Sequence, residues 1–291
     1  MVAAKARPML LTEERIQGLR YVQRSKEIVD LAHFPDFLLI GPQRTGTNWL
    51  YDNLREHPQI FMSEPKETYY FNLLNKPTPI GHVHSNDLCW YLTFFQDSPA
   101  SFLKKSIRSL MRFGELYDPK IRGEGTASYA AMGRDLIREV VHLNPDIKAI
   151  LLMRNPIERA WSHAKKDLVR DRSRRLGEVS DREFETFFRS SYQISCGSYT
   201  GILEKWRACL KEGNLFVGFF DDIRLMPEML LRRVLEFLEV SAKPKYITSS
   251  VYERFNTTQP DPIPQKHLRL LRQLFGREIQ RLNETYGLNW E

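Results

Sequence analysis

Cysteine is scarce in this 291-residue chain. The three that occur are an odd number without metal-ligand spacing, at Cys89, Cys196 and Cys209. This pattern argues against a disulfide framework and against a structural zinc site. Apolar runs long enough to span a bilayer are missing as well, and residues 1–7 lack the apolar stretch of a secretory signal. We therefore expect reduced thiols and a cytoplasmic protein without a membrane span, although a luminal form of the chain would have the same composition.

The residues that would complete a P-loop are also missing. Gly41 and Gly46 have the spacing of the pattern G-x-x-x-x-G-K-S/T, but Thr47 and Asn48 stand where the lysine and the hydroxyl residue belong. A nucleotide kinase or NTPase would lose its phosphate-binding lysine and its magnesium ligand. That alternative rests on the glycine spacing alone, and it requires ATP and magnesium.

The charge balance favours an anionic partner. The formal net charge is +7 and the isoelectric point is about 9.2, which suits nucleotides, acidic glycans, nucleic acid or a membrane surface. A nucleic-acid-binding protein is the second alternative, supported by the basic run at residues 163–175. No RNA-recognition or zinc-finger pattern accompanies that run, so we do not expect a nucleic-acid partner. The length and a hydrophobic content of 42% fit one α/β domain or two small ones.

One stretch combines an apolar run, a glycine-bounded loop and a helix start. Residues 37–40 predict a strand, residues 41–46 a tight loop, and Thr47 onwards a helix. The first amides of a helix have no internal partner, so they bind an anion together with the helix dipole. Arg44 adds a cation inside the loop. The candidate anion-binding residues are Gln43, Arg44, Thr45, Gly46, Thr47, Asn48 and Trp49.

A second candidate phosphate site follows the apolar run at residues 147–153. This run predicts a strand buried on both faces, and Pro156 suits the first turn of the next helix. Arg154 then lies at the carboxyl end of a parallel strand, where open α/β sheets bind ligands. Ser162 lies one to two turns into the helix, so its hydroxyl and the guanidinium can converge on one phosphate. For this fragment alone, an arginine at a sheet edge and a serine on a helix are the simpler interpretation.

The order of these motifs, first the loop that contains Arg44 and then the pair of Arg154 and Ser162, resembles that of sulfotransferases that use 3′-phosphoadenosine 5′-phosphosulfate (PAPS). In that family the loop holds the 5′-phosphosulfate, and the Arg–Ser pair binds the 3′-phosphate. The resemblance covers about residues 35–290 and is greatest to heparan sulfate and other glycosaminoglycan sulfotransferases. It implies PAPS as the cofactor and no metal. It also implies a single α/β domain, with a P-loop-like parallel sheet flanked by helices on both faces.

Lys66 and Glu67 precede three aromatic residues at positions 69–71. A carboxylate beside apolar rings is desolvated, which raises its pKa toward the range of a general base. From the fragment alone, a surface ion pair is the simpler interpretation. The resemblance implies that Glu67 is the catalytic base and that Arg44 neutralises charge on the transferring group. The expected reaction is direct in-line transfer of a sulfuryl group to a hydroxyl or an amine.

The resemblance implies two further cofactor-binding residues. Tyr199 occupies the Gly-x-Tyr position near the nucleotide, and Arg254 belongs to a basic loop that closes over the 3′-phosphate. Two positions depart from the family pattern: Gly125 replaces a lysine, and Tyr69 stands where glycosaminoglycan enzymes often have histidine. The resemblance is therefore not taken to imply heparan as the acceptor of this chain. The expected partner is a glycan, lipid or other small-molecule acceptor, and an anionic acceptor is one option.

The sequence divides into an N-terminal helical arm at residues 1–30 and a sulfotransferase domain at residues 31–291. A loose helical pattern over residues 12–29, with Thr12 as the N-cap, predicts the arm. The oligomeric state and the identity of the acceptor stay open at this level.

Overall fold

The apolar runs at residues 37–41 and 148–153 form the two neighbouring central strands of a parallel sheet. The computed structural model describes residues 10–11, 16–26, 28–74, 85–253 and 262–291. Its strands are β1 (Leu10–Leu11), β2 (Val29–Asp30), β3 (Phe37–Gly41), β4 (Ile60–Met62), β5 (Ile121–Gly125), β6 (Lys148–Met153) and β7 (Leu215–Phe219). Within the described ranges, five strands form one sheet in the order β4-β5-β3-β6-β7, and every neighbouring pair is parallel. The short strands β1 and β2 pair with each other and are antiparallel.

Helices form most of the connections. The α-helices are α1 (Thr47–Arg55), α2 (Tyr70–Leu73), α3 (Leu88–Leu92), α4 (Pro99–Phe113), α5 (Arg134–Leu143), α6 (Pro156–Ala164), α7 (Asp181–Arg189), α8 (Ser191–Gly197), α9 (Tyr199–Arg207), α10 (Phe220–Leu225), α11 (Pro227–Phe237) and α12 (Gln265–Tyr286). A π-helical turn at Lys165–Arg170 continues α6. Short 3₁₀ turns lie at Thr93–Phe95, Ala127–Ala131, Leu176–Glu178, Pro244–Tyr246 and Ser249–Tyr252. The helices predicted to begin near residues 47 and 156 are confirmed.

Alternate residues of β3 and β6 point to opposite faces of the sheet, and each face has its own apolar cluster. On one face, Leu38, Ala149 and Leu151 belong to a cluster with α5 and α9. On the other face, Leu39 and Ile150 belong to a cluster with α1 and α11. Both central strands are covered on two sides, which explains why their sequences are almost continuously apolar. The predicted α/β sheet with helices on both faces is confirmed.

The N-terminal arm differs from its prediction. Residues 17–26 form turns and bends instead of the helix expected over residues 12–29. Residues 12–15, which include the predicted N-cap Thr12, lie outside the described part of the chain. The helix prediction is therefore wrong for the portion that can be examined.

Tertiary contacts explain why the arm does not continue as a helix. Leu11 and Val29 are buried in the same apolar cluster as one face of the sheet. The main-chain amides of Tyr21 and Val22 donate to the buried carboxylate of Glu139 on α5, at 2.7 and 2.9 Å. The Glu139 carboxylate thus accepts the hydrogen bonds that main-chain carbonyls would accept in a helix. The loose apolar pattern of residues 12–29 gives no sign of this distant acceptor.

The last helix belongs to the same domain as the sheet. A third apolar cluster joins α12 to α6 and α7, and Leu282 of α12 reaches the cluster on one face of the sheet. The expected single domain is confirmed. Within the described ranges, no helix combines the length and the apolar character needed to cross a bilayer.

Candidate active site

The loops after β3 and β6 meet at the carboxyl edge of the sheet. β3 is flanked by β5 on one side and by β6 on the other, and it is the first strand of the sheet along the chain. The connections therefore run in opposite directions on the two sides of β3. This arrangement creates the kind of crevice in which open α/β sheets bind their ligands.

Two glycines shape the loop of residues 42–46, which we call the Arg44 loop. Gly41 has a φ of +90°, and a Cβ atom there would lie 2.1 Å from the carbonyl oxygen of Ala127. Gly46 has a φ of +94°, and its Cβ atom would lie 2.2 Å from Ile223 Cδ1. Among the described residues, no side chain caps the first turn of α1. The amides of this turn are therefore the kind of donors that bind an anion.

Replacing Gly41 by alanine is expected to lower the free energy of unfolding by about 2–5 kcal/mol. The left-handed backbone costs a residue with a Cβ atom about 1–2 kcal/mol, and overpacking against the Ala127 carbonyl adds about 1–3 kcal/mol. Gly276→Ala in α12 is the matched control, because no described atom lies within 4 Å of its Cβ position. It should stabilise the protein by about 0.5–1 kcal/mol. Urea unfolding measures the stability of both variants. A Gly41→Ala protein as stable as its parent would contradict the close approach of residue 41 to the Ala127 carbonyl.

Arg44 is the cation at the centre of the site. Its Nε donates to Ser162 Oγ at 2.9 Å, and its main-chain oxygen accepts from Arg154 Nη1 at 3.4 Å. Burial, followed by the charges of Arg170 and Arg154, lowers the pKa of Arg44 to about 10. The guanidinium is still charged at neutral pH, but the neighbouring cations raise its energy. An anion bound here would relieve that repulsion.

Arg154 is held on three sides. Its main-chain N–H donates to the hydroxyl of Tyr199 at 3.1 Å, and its guanidinium pairs with Glu158 at 3.0 Å. The guanidinium also lies 4.3 Å from the ring centre of Phe220. Arg154 is thus next to the Arg44 loop, as the strand pattern predicted. Tyr199, predicted to line a cofactor pocket, is fully buried and holds the main chain at Arg154; its contact with a cofactor stays a prediction.

Ser162 and Arg154 make different hydrogen bonds in this structure. The Ser162 hydroxyl accepts from Arg44 Nε, while the guanidinium of Arg154, which precedes α6, pairs with Glu158 in the first turn of that helix. Ser162 therefore connects the two arginine sites through the Arg44 loop. The convergence of Ser162 and Arg154 on one phosphate stays a prediction.

Three residues of the predicted anion-binding set are buried where they brace the Arg44 loop and α1. Thr45 Oγ1 donates to the carbonyl of Pro42 at 2.7 Å, which closes the loop on itself. Trp49 Nε1 donates to the carbonyl of Val251 at 2.8 Å. Thr47 is buried at the start of α1. These side chains have a structural function, and their contact with a cofactor stays a prediction.

The other loop residues face the opening of the crevice. Gln43 and Asn48 are partly exposed. The Gln43 amide oxygen accepts from the hydroxyl of Tyr192 on α8, at 2.6 Å. Through this bond, α8 fixes the outer part of the Arg44 loop.

Glu67 lies on the β5 side of β3, next to the start of the Arg44 loop. Its Oε2 accepts from the main-chain N–H of Ala127 at 3.1 Å, and Ala127 is the residue that packs on Gly41. Its Oε1 accepts from Lys66 Nζ at 2.9 Å, and the hydroxyl of Tyr69 also donates to the carboxylate. Burial, and then the charge of Glu67, raise the pKa of Tyr69 to about 12. The carboxylate thus has three hydrogen-bond donors, which the aromatic residues beside it in the sequence did not indicate, and both Glu67 and Tyr69 have positive φ angles.

A buried carboxylate lies beside the segment that carries Glu67. Glu124, near the end of β5, is fully buried and accepts from the hydroxyls of Thr68, Tyr91 and Thr126. Burial raises its pKa, and the donated hydrogen bonds oppose that shift. Thr68 directly follows Glu67, so this network fixes the main chain at the candidate base.

The basic run at residues 163–175 is partly buried and mostly paired. Burial lowers the pKa of His163 to about 4, and Lys165 is buried as well. Lys166 pairs with Asp171 at 2.6 Å. Residues 163–169 are therefore packed beside Arg44, whereas residues 170–175 are mostly exposed. The run has two carboxylates, Asp167 and Asp171, against six lysines and arginines.

Two other positions singled out in the sequence are Arg254 and Gly125. Arg254 lies outside the described residues. At Gly125, where the family pattern has lysine, the side chain of Lys66 passes nearby: its Cε lies 3.7 Å from the position of a Cβ atom. Lys66 thus supplies a cation close to the point where a side chain at residue 125 would begin.

Sequence reasoning missed three residues of the site. Glu158 lies in the first turn of α6, four residues after Arg154, and this spacing of opposite charges was the available signal. Phe220 directly follows β7, at the same edge of the sheet as the arginines. Tyr192 gave no sequence signal, because its bond to the Arg44 loop depends on the packing of α8.

Fold and site together define an α/β protein with two arginines and a carboxylate in the crevice beside the first strand of its parallel sheet. The chain belongs to the sulfotransferase family, because residues 34–270 match the family model described as the sulfotransferase domain. The expected membership of the sulfotransferase family is confirmed.

Individual relatives agree with this assignment. The Drosophila melanogaster bifunctional heparan sulfate N-deacetylase/N-sulfotransferase is 24% identical over 263 residues, covering 86% of this chain and 24% of the relative. The chain spans about a quarter of the length of the curated relatives it matches. A solved sulfotransferase from Alicyclobacillus acidocaldarius has a TM-score of 0.59 at 21% identity, covering 88% of this chain and 96% of its own. Mouse sulfotransferase SULT7A1, complexed with PAP, has a TM-score of 0.50 at 15% identity, covering 87% and 89%. These structural likenesses show the shared fold.

Proposed function

We propose that this protein transfers a sulfuryl group from PAPS to a hydroxyl or an amine of a glycan or small-molecule acceptor, with Glu67 as the general base. One observation carries the proposal. Arg44 and Arg154, from two neighbouring strand ends, contact each other, and the Glu67 carboxylate is bonded to Ala127, which packs on the same loop. Family membership supports the sulfuryl chemistry, and the relatives named above support acceptors of the glycan or small-molecule class.

The cationic residues are suited to a donor that has two separated phosphates. Arg44 and the first-turn amides of α1 would hold the 5′-phosphosulfate, and Arg154 would hold the 3′-phosphate. Ser162, whose hydroxyl accepts from Arg44 in this structure, would bind the 3′-phosphate together with Arg154. PAPS supplies the activated sulfuryl group when bound. An arginine does not give up its proton at neutral pH, so Arg44 would act by neutralising charge on the leaving phosphate.

Glu67 is suited to take the acceptor's proton. The acceptor oxygen or nitrogen would form a bond to sulfur while the bond between sulfur and the phosphate oxygen breaks, and the acceptor's proton would pass to the carboxylate. The second product is 3′-phosphoadenosine 5′-phosphate (PAP). The three donors around the carboxylate fix its orientation, and its side chain is 22% exposed, so an acceptor can reach it.

The proposal includes a cytoplasmic location, no metal and no nucleic-acid partner. The free thiols of Cys89, Cys196 and Cys209 support the cytoplasmic location.

A panel of sugars, phenols and lipids, offered with labelled PAPS, tests the reaction and identifies the acceptor class. ATP with magnesium, offered in place of PAPS, tests the kinase alternative. Transfer from ATP but not from PAPS would overturn the proposed function.

Replacing Arg154 by alanine is expected to weaken PAP binding by about ten- to a hundredfold. A hydrogen bond that involves a charged group contributes about 1.5–3 kcal/mol, and each 1.4 kcal/mol is a factor of ten. Isothermal titration calorimetry with PAP measures the change, and Arg232→Ala, at an exposed arginine on α11, is the control that should bind PAP as the parent does. Unchanged affinity in Arg154→Ala would remove this residue from the nucleotide site.

A further inference from the structure

Helix α4 presents an apolar stripe to solvent. Leu103, Ile107, Leu110 and Met111 recur at spacings of three and four, so they lie along one side of the helix. Their exposed fractions range from 51% for Ile107 to 84% for Met111. The residues of α4 that are buried are Ser106, Ser109 and Phe113. The stripe is therefore a second apolar side of the helix, separate from the side that packs on the protein.

This apolar surface is concentrated in one place. Thirteen large apolar side chains are exposed in the part of the chain that the structure describes, and six of them lie between residues 102 and 116. Single exposed apolar residues are ordinary, but a contiguous group marks an interaction surface. We call this surface the α4 face; it consists of Phe102, Leu103, Ile107, Leu110, Met111 and Leu116.

Cations border the α4 face. The helix contains four basic residues and no acidic residue, and the basic ones are Lys104, Lys105, Arg108 and Arg112. Lys104 is exposed and has no ion-pair partner among the described residues. The side chains of Lys104, Lys105 and Arg108 also line a groove between α4 and β4, together with Arg55 and a single carboxylate, Glu64. The apolar stripe and the cationic groove are thus side by side.

We propose that the α4 face docks on an anionic lipid surface. The apolar stripe would enter the boundary of the acyl chains, and the cations of α4 would meet the headgroups, as in amphipathic helices that lie in the membrane interface. Charge complementarity selects this occupant over a second copy of the chain. Lys105 pairs with Asp97, and Arg108 and Arg112 both pair with Glu56, so the four cations of α4 outnumber the two carboxylates that pair with them. A symmetric dimer paired through α4 would bring together two surfaces of net positive charge, and like charges in an interface oppose association.

Vesicle sedimentation of the full chain tests the proposal. The protein should sediment with phosphatidylcholine vesicles that contain phosphatidylserine, and much less with phosphatidylcholine alone. The variant Leu103→Ser/Ile107→Ser should reduce the partition constant at least tenfold, because it removes two apolar side chains from the stripe. Lys104→Glu should reduce it about fivefold or more, and high salt should reduce it further, because both weaken attraction to the headgroups.

The control is Leu225→Ser/Met229→Ser, which removes two exposed apolar side chains from α10 and α11 and should sediment as the parent does. Circular dichroism of every variant confirms that the fold is retained, which the exposed positions favour. Three results would overturn the proposal: no sedimentation with the anionic vesicles, equal sedimentation of the parent and Leu103→Ser/Ile107→Ser, or equal losses in the α4 and control pairs. A dimer detected by light scattering and abolished by the α4 pair, without vesicle binding, would assign the face to a second copy instead.

Discussion

Replacing Glu67 by glutamine is expected to lower kcat for sulfuryl transfer by about 10²- to 10⁴-fold, the usual contribution of a positioned general base. The amide has the same shape as the carboxylate but cannot take a proton from the acceptor. Its oxygen can still accept from the main-chain N–H of Ala127, so the segment should keep its conformation. Binding of PAP should be unchanged, because the substitution leaves Arg44 and Arg154, the proposed donor-binding residues, in place. Single-turnover transfer of labelled sulfate measures the rate, and calorimetry measures PAP binding.

The matched control for this variant is Glu64→Gln, three residues earlier on the same segment. Glu64 is exposed and has no hydrogen-bond partner among the described side chains. It should keep the parent rate within about twofold, since surface substitutions of this kind are usually neutral. If Glu67→Gln keeps more than a tenth of the parent rate, the base is another group. If both variants lose activity together, the effect comes from the charge of the whole segment.

Replacing Arg44 by alanine is expected to lower kcat/KM by about 10²- to 10³-fold, which is the effect of removing one donor that stabilises developing charge. The substitution removes the cation in the Arg44 loop and its hydrogen bond to Ser162. Alanine and arginine bear the same left-handed strain at this position, where φ is +72°, so stability should change little. Arg44→Lys should recover part of the loss, because lysine restores the charge but lacks the planar fork of donors.

Kinetics with saturating acceptor and a thermal melting curve separate catalysis from folding. Arg207→Ala, at an exposed arginine on α9, is the control and should behave as the parent does. An Arg44→Ala protein that melts at the parent temperature and transfers sulfate at the parent rate would contradict the assigned function. One that melts much lower would instead assign a structural function to the arginine, and Arg44→Lys would then have to restore stability together with activity.

The parts of the fold that could be predicted are those that depend on neighbouring residues in sequence. The continuous apolar runs required strands buried on both faces, and parallel strands bring their carboxyl ends to one edge. The proximity of Arg44 and Arg154 followed from that rule alone. The starts of the helices near residues 47 and 156 followed from the glycine before the first helix and the proline that begins the second.

The remaining errors concern contacts between distant segments. The arm at residues 17–26 is not helical, because its amides bond to Glu139 on another helix. The carboxylate of Glu67 meets a donor that follows β5 and donors of its own turn, and its left-handed φ has no simple sequence signal. The hydrogen bond between Arg44 and Ser162 joins two loops that are far apart in the sequence. Each of these depends on which elements become neighbours in space.

The position of β3 between β5 and β6 has an evolutionary consequence. The proposed donor-binding arginines follow β3 and β6, whereas the candidate base belongs to the segment that precedes β5. Mutation of the second segment can therefore alter the acceptor side while both arginines are retained. A lineage with this architecture can keep its nucleotide chemistry constant while it explores new acceptors, and the glycine at residue 125 and the tyrosine at residue 69 are the first positions where such divergence should be sought.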